Sequence, residues 1–190
     1  MKQTSIMIVG VGGQGSLLAS KLLGGLLVDA GYDVKVSEVH GMSQRGGSVV
    51  TYVKYGDEVF SPIVCDGEAD IIISFEKLEA ARYAKCLKKG GTIVVNTQMI
   101  DPMPVITGAV SYPDNILDEL SKKGVAIDAV DALELAMKAG SAKAVNIVLL
   151  GVAAKYFDIP FERWEDAIKK SVKPAFVELN QKAFKLGYEH

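Results

Sequence analysis

Cysteine is scarce in this 190-residue chain: Cys65 and Cys86 are 21 residues apart and no C-x-x-C occurs. Two thiols cannot ligate an iron–sulfur cluster or a zinc ribbon by themselves, and they make no disulfide framework. They read as free thiols of a reducing compartment. Arginine is nearly as rare, at Arg45, Arg82 and Arg163, and the net charge is −2. A chain without a basic excess is not expected to bind nucleic acid. No apolar run approaches the roughly 20 residues that span a bilayer. The N-terminus, "MKQTSIMIVG", enters a strand pattern without a signal-peptide h-region. The expected location is therefore cytoplasmic, with no membrane contact.

What is present is an ordinary globular composition, 49% hydrophobic and 23% charged, at a length that suits one domain spanning residues 1–190. Continuous β-branched runs at 5–11 and 69–75 predict buried parallel strands. Strands are also expected at 32–39, 48–56, 91–97 and 125–130. Helices are expected at 14–31, 76–90, 112–124, 131–140 and 142–157, with a C-terminal helical pair split at Pro174. The proline-interrupted segment 101–108 reads as an edge strand or extended link. Gly24 and Gly25, inside the first helix, suggest close approach of another backbone. The alternation predicts an α/β fold: a Rossmann-like, open, mostly parallel sheet with helices on both faces and a C-terminal helical layer.

The first motif is "GVGGQG". Gly10, Gly12 and Gly15 satisfy G-x-G-x-x-G immediately after a strand and at the opening of a helix, with Gly13 and Gln14 between them. Such glycines permit a tight turn and let a ligand approach the backbone, while the helix N-terminus favours an anion. They would equally serve tight strand-to-helix packing. Glu38 ends the second strand, 23 residues after Gly15, near the place of the ribose-binding acid in dinucleotide folds. Two features count against a dinucleotide: the polar Gln14 in the turn, and a loop where a second helix should follow.

That loop is the second motif, "EVHGMSQRGGSVV". It gathers His40, Ser43, Gln44, Arg45 and Ser48 around Gly41, Gly46 and Gly47. Arginine offers a planar fork of donors for phosphate or carboxylate, and flanking glycines allow an anion-binding nest of amides. His40 could titrate near neutral pH. The same residues would also serve as a surface or interface loop.

Taken together, "GVGGQG", "EVHGMSQRGGSV" and "IISFEKLEA" resemble the gamma-type subunits of 2-oxoacid:ferredoxin oxidoreductases. The second motif is most similar to the small (beta) subunit of the indolepyruvate enzymes. The resemblance runs from about residue 5 to the C-terminal helices. It implies a complex that decarboxylates an aryl pyruvate, joins the acyl group to coenzyme A and reduces ferredoxin. It also implies that thiamine diphosphate and 4Fe-4S clusters lie in a large (alpha) partner subunit. This chain agrees with that division: it has no G-D-G…N-N thiamine diphosphate signature and too few cysteines for a cluster. No catalytic or metal-binding residue is expected in it. Its expected part is to complete the substrate or coenzyme A cleft, with Arg45 and the backbone of Gly12 to Gly15 as anion contacts and Ser43 and Gln44 as neutral ones. The variant reading makes the loop a grip on the partner.

Other features carry less. Ser74, Phe75 and Glu76 fall at the carboxyl end of one central strand and Asn96 and Thr97 at the end of the next, where ligands of open α/β sheets bind; helix capping is the plainer use of Ser74. Asn146 reads as a satisfied buried amide and Trp164 as a packing anchor. Competing functions are a free-standing NAD-type oxidoreductase, which would need a catalytic group that is not evident here. An adenylating activator would want an acceptor cysteine, and a regulatory nucleotide-binding module would need no catalysis.

Overall fold

A computed structural model describes residues 3–39 and 46–190. In them, six strands form one sheet in the order β2-β3-β1-β4-β5-β6. The strands are β1 (Thr4–Val11), β2 (Asp33–Val39), β3 (Ser48–Gly56), β4 (Ala69–Ser74), β5 (Leu87–Asn96) and β6 (Ala126–Val130). β1, β4, β5 and β6 pair in parallel. β3 is antiparallel to both neighbours and lies between β1 and β2. The cause is the connection: the segment between β2 and β3 is too short for the crossover that a parallel pair requires, so the chain turns back on itself. β2 is thereby moved to the edge of the sheet.

Helices cover both faces, as the alternation predicts. One face carries α1 (Ser16–Asp29), α5 (Ala132–Ala139), α6 (Val145–Ala154), α7 (Phe161–Ser171) and α8 (Val177–Tyr188). The other carries α2 (Lys77–Tyr83) and α4 (Ile116–Lys122), with the short α3 (Met103–Ile106) outside. β1 alternates between the two cores: Ile6 and Ile8 face the first, Met7 and Val9 the second. α6 is buried from Asn146 to Ala154, which makes this apolar segment a core helix. Trp164 is fully buried, edge-on to Phe157 (5.4 Å) and stacked on Phe184 (5.5 Å). It is the packing anchor expected of it.

Three expectations are corrected. The helix expected over 76–90 stops at Tyr83, and Leu87 already pairs with Ala69. Lys88 meets Asp70 at 2.7 Å. A Cβ on Gly91 would lie 2.8 Å from the Asp70 carbonyl, so sheet pairing overrides the helical pattern there. The edge strand or extended link expected at 101–108 instead contains a helical turn, Met103–Ile106, because Pro102 and Pro104 occupy its N-cap and first turn, where a missing N–H costs nothing. Gly24 and Gly25 make no close backbone contact: a Cβ would meet Val36 Cγ2 at 3.5 Å at the first and nothing within 4 Å at the second. Close approach occurs where α6 crosses α8, at Gly151 and Gly187.

Candidate functional site

β1 feeds α1 on one face of the sheet and β4 feeds α2 on the other. Their carboxyl ends therefore diverge, and open α/β sheets bind ligands in the crevice so formed. The glycine turn lies there. Gly15 is the N-cap of α1 in a left-handed conformation (φ 85°), without a side-chain cap. The first amides of such a helix have no partner within it. Gly13 is also left-handed (φ 103°), with nothing within 4 Å of its Cβ position.

The remaining turn residues are held by the chain itself. A Cβ on Gly10 would fall 2.9 Å from both Gln14 Oε1 and Phe75 Cβ, so this glycine serves packing. Gln14 Oε1 accepts the Val11 amide (2.7 Å), and its Nε2 donates to the Phe75 carbonyl (3.0 Å) and to Gln98 Oε1 (3.3 Å). The polar side chain that sat oddly in a nucleotide turn thus ties β1 to the ends of β4 and β5. Asn146 Nδ2 donates to the Gly15 carbonyl (3.2 Å), while its Oδ1 accepts the Ile147 amide (2.9 Å). It is a satisfied amide and fastens the core helix to the turn.

The two glycine motifs meet. Gly12 donates to the Gly47 carbonyl (2.9 Å), and Gly46 donates to the Gly12 carbonyl (3.3 Å). His40, Ser43, Gln44 and Arg45 lie outside the described residues, but the attachment points of their loop are defined. On the β2 side, Ser20 donates to Glu38 (2.7 Å). On the β3 side, the Ser48 hydroxyl donates to Glu79 and Gly46–Gly47 pair with the turn. Glu38 thus faces α1 on the edge strand, with β3 between it and β1. In a dinucleotide fold its counterpart would end a strand beside β1.

Ser74 does not cap α2; its hydroxyl donates to the Glu76 carbonyl (2.7 Å). Glu76 caps instead, accepting the Glu79 amide at 2.9 Å. It is 1% exposed and also accepts from the Ile100 amide (3.2 Å) and the Tyr112 hydroxyl. That carboxylate and burial together push the Tyr112 phenol well above its ordinary value, burial most. Burial likewise holds the Glu79 carboxyl above the usual carboxylate range, against the Ser48 hydroxyl and the nearby Arg82, which favour ionisation. Asn96 is buried, donates to the Phe75 carbonyl (3.2 Å) and accepts the Ala132 amide (3.1 Å). The sequence reading placed Glu76 at the carboxyl end of its strand but missed its capping role, and it missed Glu79, Gln98 and Tyr112. The one available signal was the pair of glutamates three apart at the start of α2, a variation on the capping box.

Two clefts flank the turn. One, of about 340 Å³, lies between Gly12–Leu17 and the root of the β2–β3 hairpin at Val39, Val49 and Thr51. The other, of about 530 Å³, is bounded by Gly13–Gly15, Gln98, Leu133 and Lys143. Lys143 adds a cation beside the helix N-terminus, also unread from sequence. Amides, helix dipole and lysine together favour an anion. Cys65 is exposed and Cys86 is buried, and among the described residues no three His, Cys, Asp or Glu converge. Nor is any helix there long and apolar enough to cross a membrane.

The fold and turn define an α/β protein with an anion-favouring crevice at the switch point of its sheet. The chain belongs to the pyruvate ferredoxin/flavodoxin oxidoreductase family, which it matches over residues 5–190. It is 45% identical to the indolepyruvate oxidoreductase subunit IorB of Thermococcus kodakarensis, across 98% of this chain and 95% of that one. It is 44% identical to IorB of Archaeoglobus fulgidus, across 97% and 93%. The gamma subunit of a keto/oxoacid ferredoxin oxidoreductase from Geobacter sulfurreducens superposes with a TM-score of 0.72 at 26% identity, over 98% of this chain and 96% of that one. Pyruvate oxidoreductase subunit PORC from Thermotoga maritima shares the fold, with a TM-score of 0.74 at 22% identity over 100% and 97%.

Proposed function

We propose that this chain is the small subunit of a 2-oxoacid:ferredoxin oxidoreductase whose substrate is indolepyruvate or a related aryl pyruvate. The complex releases CO2, transfers the acyl group to coenzyme A and passes two electrons to ferredoxin. Thiamine diphosphate and the 4Fe-4S clusters belong to the large subunit. This chain completes the cleft that receives the substrate or coenzyme A. The observation that carries the reading is the near end-to-end likeness to IorB subunits.

The geometry supports an anion-holding role at the turn, from Gly13, Gly15 and Lys143. Gly12, Gly46 and Gly47 brace the loop that carries Arg45, the proposed contact to a carboxylate or phosphate. His40, Ser43 and Gln44 belong to the same loop and add polar contacts to ligand or partner. Gln14, Ser74 and Asn96 shape the crevice from behind, and Glu38 holds the loop's other foot through Ser20. That placement of Glu38 counts against an NAD-type enzyme.

Purification from the native host tests the assignment: a stoichiometric large partner containing thiamine diphosphate and iron supports it, and a chain that elutes alone and binds NAD tightly refutes it. Arg45→Ala in the assembled complex tests the contact. The expected result is a raised KM for coenzyme A or 2-oxoacid with assembly intact. Unchanged KM values for both eliminate Arg45 as an anion contact.

A further inference from the structure

Beyond the glycine turn, the carboxyl edge of the sheet carries a feature with no place in the site just described. After β5 the chain makes an excursion from Met99 to Tyr112 before α4 begins at Ile116. Both ends of this excursion are fastened to one buried atom: Glu76 Oε1 accepts the Ile100 amide and the Tyr112 hydroxyl. The excursion is internally ordered as well. The Pro104 carbonyl accepts the amides of Ala109 (2.9 Å) and Val110 (3.2 Å), closing the turn after α3. Yet α3 buries none of its residues. Met99, Met103, Ile106 and Val110 are 51–66% exposed, and Met103 and Ile106, three apart, share one side of the helical turn.

A rigidly tethered element that points four apolar side chains into water is costly unless another surface covers it. It lines neither cleft at the glycine turn, so it is not a wall of the site described above. Asp101 is its sole formal charge, and it offers no lysine or arginine to an anionic lipid surface. Methionine and branched aliphatic side chains without charge are the composition of a protein–protein interface core.

We propose that residues 99–110 are the docking element by which this chain binds the large subunit of its complex, pre-shaped by Glu76. The proposal rests on the functional reading above. Position selects the partner. The excursion begins one residue after Gln98, which bonds to Gln14 of the glycine turn and lines the larger cleft. A body seated on residues 99–110 therefore stands at the mouth of that cleft. The large subunit, which holds the cofactors, is the body that must reach it.

The test uses the full chain reconstituted with its large subunit. Met103→Asp and Ile106→Asp, both at exposed positions, should leave the circular dichroism spectrum and Tm unchanged and weaken the Kd at least tenfold. Phe60→Asp is the control. Phe60 is 82% exposed near the amino-terminal edge of the sheet, where Val59 bonds to Asp33, and its substitution should leave Kd unchanged. Wild-type affinity in both 99–110 variants overturns the proposal, as does loss of assembly on Phe60→Asp alone. A wild-type chain that self-associates through this element, and becomes monomeric on Met103→Asp without change in large-subunit affinity, overturns it too. Failure of the wild-type chain to bind any large subunit refutes the functional reading itself, a result distinguishable from the others.

Discussion

Replacing Gly151 by alanine should destabilise the protein, while the same replacement at Gly25 should stabilise it. A Cβ at Gly151 would lie 2.1 Å from the Phe184 carbonyl, and one at Gly187 equally close to that of Val148. Real Cβ contacts stay beyond 3.0 Å, so α6 and α8 must part by about 1 Å. The obstacle is backbone, which cannot rotate aside as a side chain could. Overpacking of a core costs about 1–3 kcal/mol, and an opening of that size forfeits roughly a quarter to a half of each affected contact. Phe184 and its stack on Trp164 lie at this crossing. Helix propensity returns about 1 kcal/mol for Gly→Ala. Taking the upper end for a backbone clash, the net loss is about 2 kcal/mol, or roughly 4–8 °C in Tm for a chain of this size. At Gly25, exposed and with nothing within 4 Å of its Cβ position, only the propensity gain of about 0.5–1 kcal/mol remains. Trp164, the single tryptophan, reports unfolding by fluorescence from within the same cluster. Equal Tm shifts for the two variants would refute the reasoning. The Gly151→Ala/Gly187→Ala double variant should cost less than the sum of the singles, since the first separation already makes room for the second.

Glu79 supplies a pH prediction. Burial holds its folded carboxyl above the ordinary range, so the unfolded chain ionises first as pH rises. The resulting penalty on folding is absent below the unfolded pKa and fully present above the folded one. Glu79→Gln should therefore gain on wild type in urea-measured stability as pH rises from the ordinary glutamate range towards neutrality, and parallel curves would disprove this. Trp164 is a buried group with an unmet demand, because its Nε1 has no hydrogen-bond partner among the described residues. Trp164→Phe removes that donor along with some volume, and its cost should stay within about 1 kcal/mol, against about 3–5 for Trp164→Ala. Denaturant midpoints followed by circular dichroism decide it, and equal costs would show that the unpaired indole nitrogen has no energetic weight.

Much of the architecture was legible in the chain. The β-branched runs of β1 and β4 are buried on both faces of the sheet, and such strands announce themselves by continuous apolar sequence. The glycine turn was legible because its spacing coincides with the strand-to-helix junction that gives it meaning. What escaped detection depends on distant partners. Leu87 to Gly90 read as the end of a helix, yet they open β5, where Leu87 pairs with Ala69. Glu76 read only as a residue at the carboxyl end of a strand, yet Ile100 and Tyr112 make it a clamp.

The sequence by itself determined which residues form buried strands, where the first helix begins and which family the chain resembles, because these follow from local pattern and from motifs read residue by residue. The tertiary structure decided that β3 enters between β1 and β2, that Glu38 moves to the edge strand, and that the two glycine motifs bond to each other through Gly12, Gly46 and Gly47. It also decided which glycines matter for packing: Gly24 and Gly25 look alike on paper to Gly151 and Gly187, and only the second pair faces a backbone at 2.1 Å. Conformational preference is a local property of a residue, whereas the space available to a side chain belongs to whatever folds against it.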